Sequence, residues 1–423
     1  MQYSQLNKEA LEKELQSIKT EYENMKAKGL SLDMSRGKPS AEQVALSDGM
    51  LSIIDGEDCV VGANDYRNYG IVDGIPEAKA LFAELMDCDK DEIIICGNSS
   101  LNIMYDTFMR AFVFGIGGEK PWSKCDKVKF LCPAPGYDRH FRICETLGVE
   151  MINIDMTEAG PDMDTVEKLV AQDGDIKGIW CVPKYSNPEG ITYSDETVRR
   201  FASLKPKARD FRIFWDNAYC VHDLYDEGDT LLNLLEECKK AGNDDLPYIF
   251  ASTSKISYPG AGVSFIVSSK NNIKSIKDQM STQTIGHDKL NQLRHVKFFK
   301  SVDGIMEQMR KQAEIMRPKF ETVITTLNKE FSENAIVTWT VPNGGYFISV
   351  NLLDGCAKRT VQLCAEAGVK LTDAGATFPY GIDPRDRNIR IAPTYPSLEE
   401  MTSAIEIFCV CAKLAALEKL LNK

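Results

Sequence analysis

Five short polar segments of the sequence combine residue types that can hold and activate a small organic molecule. Each follows an apolar run, at the point where a strand would end and a loop begin. Small residues and hydroxyls at a helix start suit an anion, because they present N–H and O–H groups to it. The segments are Gly97-Asn98-Ser99-Ser100, Pro135-Gly136-Tyr137, Ser186-Asn187-Pro188-Glu189-Gly190, Asp216-Asn217-Ala218-Tyr219 and Ser252-Thr253-Ser254-Lys255.

Each segment alone has an ordinary structural explanation. Asn187-Pro188 is a common turn sequence, Asp216 is equally suited to capping a helix, and a single lysine such as Lys255 usually lies on the surface. Together, however, the segments supply an anion cradle, an aromatic ring, an amide, a carboxylate and an amine. That set is what a phosphorylated pyridine aldehyde requires when a lysine holds it as a Schiff base.

The apolar runs between these segments predict a sheet of seven strands. The runs are short and rich in β-branched residues, and helical stretches separate them, which is typical of a mostly parallel sheet covered by helices on both faces. Ligands of such sheets bind beyond the carboxyl ends of the strands, so the five segments are expected to meet at one edge. The predicted strands span residues 92–96, 128–132, 150–154, 178–182, 211–215, 248–252 and 263–267.

The two ends of the chain predict a second, smaller α/β unit. An amphipathic helix is expected over residues 6–28, and a long helix over 301–329 precedes strands at 335–340, 346–350 and 388–391 and a closing helix at 397–421. We therefore predict an α/β fold with a large cofactor-binding domain, residues 56–300, and a small domain. Residues 1–55 would join the small domain formed by residues 301–423.

Composition limits the class of protein. Of 423 residues, 43% are hydrophobic and 26% are charged, as in globular proteins. The balance of 50 basic and 62 acidic residues gives a net charge of −12, which argues against nucleic-acid binding. No run approaches the roughly 20 apolar residues that a membrane helix needs. The 13 cysteines form no C-x-x-C pair and only four histidines occur, so we expect reduced thiols, no metal site and a cytoplasmic location.

The five segments, in this order, resemble the fold-type-I aminotransferases that depend on pyridoxal 5′-phosphate (PLP). The spacing of Asn187, Asp216, Tyr219 and Lys255 is similar to that family's, and the resemblance extends over nearly the whole chain. The residue sequences of these segments look most like those of the aspartate aminotransferase subgroup, which is related to the aminotransferase domain of MocR-type regulators. Three flanking segments share the resemblance: Ser35-Arg36-Gly37-Lys38-Pro39, Asn343-Gly344-Gly345-Tyr346-Phe347 and Arg390-Ile391-Ala392-Pro393.

The resemblance implies a role for each residue of the cofactor site. Lys255 would hold PLP through an aldimine and, once substrate has released it, would move the Cα proton. Asp216 would face the pyridine nitrogen, and Asn187 and Tyr219 would hydrogen-bond the ring oxygen. Tyr137 would stack on the ring. Hydroxyl and amide groups would bind the phosphate, from Asn98, Ser99, Ser100, Ser252 and Ser254.

The same resemblance implies a homodimer and a carboxylate site. Tyr69 looks like the tyrosine that reaches the phosphate of the neighbouring subunit, so the active sites would be shared. Arg390 would bind the substrate α-carboxylate through its planar guanidinium. Gly37 and Asn187 would line the substrate site as well.

A dicarboxylic substrate needs a second cation besides Arg390. Arg36 is the first candidate, and a surface or interdomain ion pair is the alternative explanation for it. Arg294 and Lys289 are further candidates.

One departure from the family concerns the phosphate. The family usually carries an arginine shortly after the lysine, whereas Pro259-Gly260-Ala261-Gly262-Val263 has a glycine at that place. Backbone amides or a basic side chain from elsewhere would then have to compensate.

The expected activity is transamination between an amino acid, with aspartate as the best candidate, and 2-oxoglutarate by a ping-pong mechanism. Two alternatives remain open. One is a PLP-dependent lyase or decarboxylase on the same scaffold, and the other is a non-catalytic, MocR-like PLP-sensing domain. A nucleotide site at Gly115-Ile116-Gly117-Gly118-Glu119-Lys120 is disfavoured, because the segment lacks the P-loop spacing.

Overall fold

The computed structural model describes residues 3–422. The first two residues of the predicted 1–55 segment and the last residue of the predicted 301–423 domain lie outside this range. The helices are α1 (Lys8–Lys26), α2 (Ala41–Ala45), α3 (Pro76–Met86), α4 (Ser100–Phe114), α5 (Asp138–Thr146), α6 (Met163–Gln172), α7 (Asp195–Ala202), α8 (Leu234–Ala241), α9 (Lys270–Met280), α10 (Lys289–Phe299), α11 (Val302–Phe331), α12 (Ala357–Glu366) and α13 (Leu398–Leu421). The strands are β1 (Leu32–Asp33), β2 (Val60–Val61), β3 (Asn64–Asp65), β4 (Ile93–Ile95), β5 (Lys129–Ala134), β6 (Glu150–Thr157), β7 (Gly160–Pro161), β8 (Ile176–Cys181), β9 (Arg212–Asp216), β10 (Pro247–Ser252), β11 (Ser264–Val267), β12 (Val337–Trp339), β13 (Ile348–Leu352), β14 (Val369–Lys370) and β15 (Asn388–Ile391).

The large sheet has eight strands in the order β4-β11-β10-β9-β8-β5-β6-β7. Strands β6, β5, β8, β9 and β10 pair in parallel, while β11 and β7 are antiparallel to their neighbours. The mostly parallel α/β prediction is confirmed, but seven strands was one too few. The missed strand, β7, is two residues long, and so short a strand carries no periodic hydrophobic pattern.

Both faces of the large sheet are buried, because alternate strand residues point into two separate cores. On one face, Phe130, Trp180 and Phe214 pack with Phe108 of α4, and their ring centroids lie 5.1–6.0 Å from that of Phe108. On the other face, Trp215 packs among residues of α7 and α8. The sheet is therefore a rigid support for residues at its edges.

The chain ends build a second core around a three-stranded sheet, β12-β13-β15. Helix α1 contributes Leu11, Ile18 and Tyr22 to this core, and α13 is buried along most of its length. Strand β1 pairs in parallel with β14, which ties residues near position 33 to the C-terminal part. This arrangement agrees with the predicted small α/β unit formed from both chain ends.

Helix α11 connects the two parts of the molecule. Ile305 and Met309 pack in a core of the large sheet, whereas Met316, Phe320 and Val323 pack in the core of the small unit. The boundaries after residues 55 and 300 stay predictions.

Candidate active site

The carboxyl ends of β5, β8, β9 and β10 lie at one edge of the large sheet because these strands are parallel. Asp216 is the last residue of β9 and Ser252 is the last residue of β10. Lys255 follows in a short 3-10 helix, Thr253–Lys255. The strand order thus brings the polar segments of different strands to neighbouring positions.

Asp216 is buried and has one engaged and one free oxygen. Its Oδ2 lies 3.1 Å from Nε2 of His140, while Oδ1 is buried and has no hydrogen-bond partner. The His140 ring stacks on Trp180 with centroids 4.5 Å apart, and Tyr137 packs edge-on against it at 4.9 Å. The carboxylate is therefore held in a fixed orientation, and its free oxygen requires a donor from a ligand.

Lys255 lies beside Asp216 in surroundings of low polarity. Its Nζ is 5.0 Å from the ring centroid of Tyr219 and 5.9 Å from that of Tyr346. Desolvation lowers the pKa of Lys255 below its ordinary value, and the Asp216 carboxylate opposes this shift. Desolvation also raises the pKa of Tyr219 well above its ordinary value, so this phenol stays protonated and can donate a hydrogen bond.

The backbone around Lys255 is held from two sides. His295 of α10 has Nε2 3.0 Å from Oγ1 of Thr253 and 2.8 Å from Oγ of Ser257. On the other side, Gln312 of α11 donates to the carbonyl of Ile256 at 2.8 Å. These contacts fix the short turn that presents the lysine.

A pH dependence of stability follows from two buried histidines. Burial lowers the pKa of His222 to about 3 and that of His295 to about 4, from an ordinary value of 6.5. Above pH 6.5 both are neutral in the folded and the unfolded chain, whereas below it the unfolded chain binds protons first. The free energy of unfolding should therefore fall as the pH drops below 6.5, by about 1.4 kcal/mol per pH unit for each histidine.

This loss is measurable by urea unfolding between pH 7.5 and 5. A His295→Gln variant should have a shallower but not a flat slope, because His222 and His287, whose pKa values burial also lowers, still titrate. Identical slopes in the wild type and this variant would contradict the prediction.

A second group of residues forms a cradle beside Lys255. Ser252 donates to Oγ of Ser254 at 3.1 Å, and Ser254 donates to the carbonyl of Asn98 at 3.0 Å. Ser99 caps α4, whose first residue is Ser100, so the unpaired N–H groups of this helix start follow Asn98 directly in the chain. Hydroxyls and backbone N–H groups therefore converge as an anion requires.

The glycine that replaces the family's arginine is explained by this cradle. A Cβ atom on Gly262 would lie 2.8 Å from the carbonyl oxygen of Asn98 and 3.1 Å from Oγ of Ser254. Any side chain at this position would displace the two strand ends. Asn291 of α10, the helix that also carries Lys289 and Arg294, donates to the carbonyls of Ala261 and Gly262 at 2.9 and 3.0 Å.

Arg390 of β15 reaches the cluster from the small unit. Its Nη1 donates to Asp138 and to Asn187, each at 3.1 Å, and Nη2 donates to Thr372 at 3.3 Å. Its Nε is buried without a partner, and the guanidinium lies 4.7 Å from the ring centroid of Phe347. Of the five N–H groups, the one on Nε and one on Nη2 remain for a ligand.

Of the predicted site residues, Arg36 lies at the rim of this cluster and Tyr69 lies on the surface. Arg36 is 59% exposed and its Nε is 3.6 Å from a carboxylate oxygen of Asp33. Gly37 is close to the site, because a Cβ atom there would overlap the Phe347 ring. Tyr69 is 84% exposed.

His140 and Phe347 are site residues to which neither the polar segments nor the family resemblance assigned a role. His140 lies three residues after Tyr137, the N-cap residue of α5, so its short spacing from the aromatic segment was the available signal. Phe347 lies within the Asn343–Phe347 segment, yet nothing local shows that its ring would contact both Gly37 and Arg390.

The residues fit the expected PLP cofactor on observations of this structure. The free Oδ1 of Asp216 needs a donor, and the protonated ring nitrogen of PLP is one. In the cradle, rotation of the Ser252 and Ser254 hydroxyls away from their present acceptors would turn both hydrogens towards a phosphate, and Lys255 follows directly in the chain. Within residues 3–422, there is no cluster of three or more His, Cys, Asp or Glu side chains suited to a metal ion. No helix in the described part of the chain is long and apolar enough to span a bilayer.

Comparisons with known proteins show the family of this chain. The family model described as aspartate amino-transferase matches residues 6–423. A Mycolicibacterium smegmatis protein named as an aminotransferase is 47% identical, over 100% of both chains. An aspartate aminotransferase of Corynebacterium glutamicum is 41% identical, over 96% of this chain and 94% of that protein. The crystal structure of a C. glutamicum aspartate transaminase superposes with a TM-score of 0.97 at 40% identity, over 99% of each chain.

The family match spans nearly the whole chain, and the fold agrees with that of a family member from end to end. Aminotransferases of this family depend on PLP. The chain therefore belongs to the aspartate aminotransferase family, and it is a transaminase.

Proposed function

We propose that this transaminase binds PLP at Lys255 and transfers the amino group of aspartate to 2-oxoglutarate by a ping-pong mechanism. The observation that carries the proposal is the buried, unpartnered Oδ1 of Asp216 near the amine of Lys255. Arg390 adds a buried N–H group, on Nε, that has no partner. The aspartate aminotransferases among the relatives support the choice of substrate.

The cofactor, when bound, supplies an electron sink for the carbanion left at Cα. The protein's part is to hold charges and protons in place. Asp216 keeps a proton on the ring nitrogen, and His140 fixes the orientation of that carboxylate. Tyr219, with its raised pKa, donates a hydrogen bond towards the ring oxygen, and Asn187 is placed to do the same through its amide.

Lys255 moves the proton in this proposal. Its lowered pKa increases the fraction of neutral amine at a given pH, and only the neutral amine can take a proton from Cα. The aromatic rings of Tyr219 and Tyr346 restrict the water around Nζ. The contacts of His295 and Gln312 keep the turn, and thus the amine, in place.

The α-carboxylate of the substrate would bind Arg390. The Nε hydrogen and one hydrogen on Nη2 are unused, and a carboxylate can accept two such bonds side by side. Asp138, Asn187 and Thr372 occupy the remaining donors and fix the plane of the guanidinium.

The side-chain carboxylate of aspartate would bind Arg36 in this proposal. Thr372 links the two arginines, because it accepts from Arg390 and donates to the carbonyl of Ser35 at 3.1 Å. Gly37 packs against Phe347, the ring that also lies against Arg390. The Ser35–Gly37 loop is thus held at the rim, with the exposed Arg36 side chain free to turn from Asp33.

An Arg36→Ala variant should raise KM for aspartate and 2-oxoglutarate about 10- to 100-fold and leave KM for alanine nearly unchanged. A charge-assisted hydrogen bond contributes about 1.5–3 kcal/mol, and only a dicarboxylate makes it here. The measurement is the half-reaction with each amino acid, followed by the absorbance of the cofactor. Arg310→Ala, an exposed arginine of α11 paired with Glu307, is the matched control.

The same assay separates the proposed reaction from its alternatives. Aspartate should convert the cofactor to its amine form, and 2-oxoglutarate should restore it. Alanine or pyruvate as the product of aspartate would instead indicate a decarboxylase or lyase. An equal loss for aspartate and alanine in Arg36→Ala would remove Arg36 from the specificity site.

We further propose a homodimer with shared sites and a cytoplasmic location. Tyr69 is 84% exposed although it is a large aromatic residue. This exposure supports a contact with the phosphate site of a second subunit. No disulfide joins cysteines in the described part of the chain, which supports a reducing compartment.

A further inference from the structure

A small cavity lies on the opposite edge of the large sheet from the active site. Its volume is 110 Å³, and Thr107 and Arg110 of α4, Arg212 of β9, Tyr248 of β10 and Gly117 are among the residues that line it. We name it the amino-edge cavity. Arg212 and Asp216 are at opposite ends of β9, so roughly 13 Å of strand separate this cavity from the active site.

Three donors in the amino-edge cavity lack acceptors. Oγ1 of Thr107, Nη1 of Arg110 and Nε of Arg212 are all buried without a hydrogen-bond partner. Arg212 is only 5% exposed, and its Nη1 already donates to the carbonyls of Arg209 and Phe211 at 3.3 and 2.8 Å. Buried donors in proteins nearly always have partners, so a group that fills this cavity must accept hydrogen bonds.

Two guanidinium groups, those of Arg110 and Arg212, and one carboxylate, that of Asp245, line the cavity, and this net positive charge favours an anion over a neutral acceptor. Both guanidinium groups act on the Tyr248 phenol: burial raises its pKa, and Arg212 and Arg110 oppose that rise. Desolvation lowers the pKa of Arg110, and the Asp106 carboxylate opposes this shift. Of the carboxylates nearby, Asp245 accepts the hydroxyl of Ser269, and Asp106 accepts from Gln283 at 3.1 Å.

The size of the cavity restricts the ligand to a few atoms. Pockets for cofactors and nucleotides usually have about 300–1,000 Å³, which is well above 110 Å³. The Gly115–Gly118 loop closes one side, and a Cβ atom on Gly117 would lie 3.9 Å from Nη2 of Arg212. A nucleotide therefore does not fit, although the loop is rich in glycine.

We propose that the amino-edge cavity binds one small oxyanion, such as inorganic phosphate, between Arg110, Arg212 and the hydroxyl of Thr107. Charge-assisted bonds from two guanidinium groups are stronger than bonds to water. The anion would join α4 to the first residues of β9 and β10. Because α4 begins at the cofactor cradle and β9 ends at Asp216, this contact would stabilise both supports of the active site.

The test is the thermal midpoint of the PLP-loaded protein as a function of inorganic phosphate, with chloride at equal ionic strength as the reference. Phosphate should raise the midpoint of the wild type, and the apparent Kd should rise at least tenfold in Arg110→Gln. Arg142→Gln, an exposed arginine paired with Glu145 on α5, is the control and should behave as the wild type. Phosphate bound at Arg390 affects all three proteins equally and cancels.

A crystal soaked in selenate provides a second measurement that needs no variant. Anomalous density between the side chains of Arg110 and Arg212 would support the site. Water alone in this cavity would overturn the proposal, as would an equal phosphate response in the wild type and Arg110→Gln. If Arg110→Gln does not fold, Thr107→Val replaces it, with a smaller but measurable rise in the apparent Kd expected.

Discussion

A Lys255→Ala variant is expected to lose transamination by more than about 10³-fold in kcat. A positioned proton-transfer group contributes about 10²–10⁴-fold, and the same amine also anchors the cofactor in the proposed mechanism. No neighbour replaces it, because Tyr219 and Tyr346 line the space around Nζ and carry phenols whose pKa values burial raises.

Two measurements accompany the rate. Borohydride should attach the cofactor to the wild-type chain at Lys255 and should leave Lys255→Ala unlabelled. Lys274→Ala, which removes an exposed lysine of α9, is the matched control and should retain wild-type activity and labelling. Peptide mapping that finds the label on a different lysine would refute the assignment.

The Lys255→Ala variant should remain folded. Desolvation lowers the pKa of this lysine, which means that the folded protein disfavours its charged form. Removing the ammonium therefore relieves a cost in the folded state, and the thermal midpoint of the apoprotein should not decrease. A large decrease would show that Lys255 has a structural role that its contacts do not reveal.

An Asp216→Asn variant is expected to lower kcat by about 10²–10⁴-fold. The amide has the size of the carboxylate but no negative charge, so it cannot keep a proton on the ring nitrogen of the cofactor. The loss of the negative charge is expected to cause the decrease in kcat, because Oδ1 is buried and no other group in contact with it replaces that charge. Steady-state kinetics with aspartate and 2-oxoglutarate measure the effect.

His140 provides an internal comparison for Asp216. It acts through the carboxylate, so His140→Asn should lower kcat about tenfold and shift the pH profile, while cofactor binding persists. Asp195→Asn, at the exposed start of α7, is the control and should leave kcat unchanged. An Asp216→Asn protein with kcat within threefold of the wild type would show that this carboxylate does not hold the ring nitrogen.

The sequence was informative where signals are local along the chain. Strand positions follow from short apolar runs, and the polar residues after β4, β5, β8, β9 and β10 follow directly from the strand ends. The long helices were predicted within a few residues, since capping residues such as Ser301 and Ser397 mark their starts. The two-residue strand β7 was missed because it is too short to carry a pattern.

Contacts between distant residues had no such signal. His140 pairs with Asp216 across 76 residues, and Arg390 reaches Asn187 across 203. The family resemblance named both arginines proposed for the substrate site, but it could not tell that Arg390 keeps two N–H groups free or that Arg36 is exposed beside Asp33. Side-chain direction depends on packing, which the order of residues along the chain does not display.

The sequence by itself determined the α/β architecture, the family resemblance and the set of polar residues at the carboxyl edge of the sheet. The tertiary structure decided which of those residues touch, why Gly262 excludes a side chain, and where buried donors lack acceptors, at Arg390 and in the amino-edge cavity. The physical reason is that periodicity and chemical type are properties of short segments. Hydrogen-bond satisfaction is instead a property of the whole packed chain, because donor and acceptor meet only after folding.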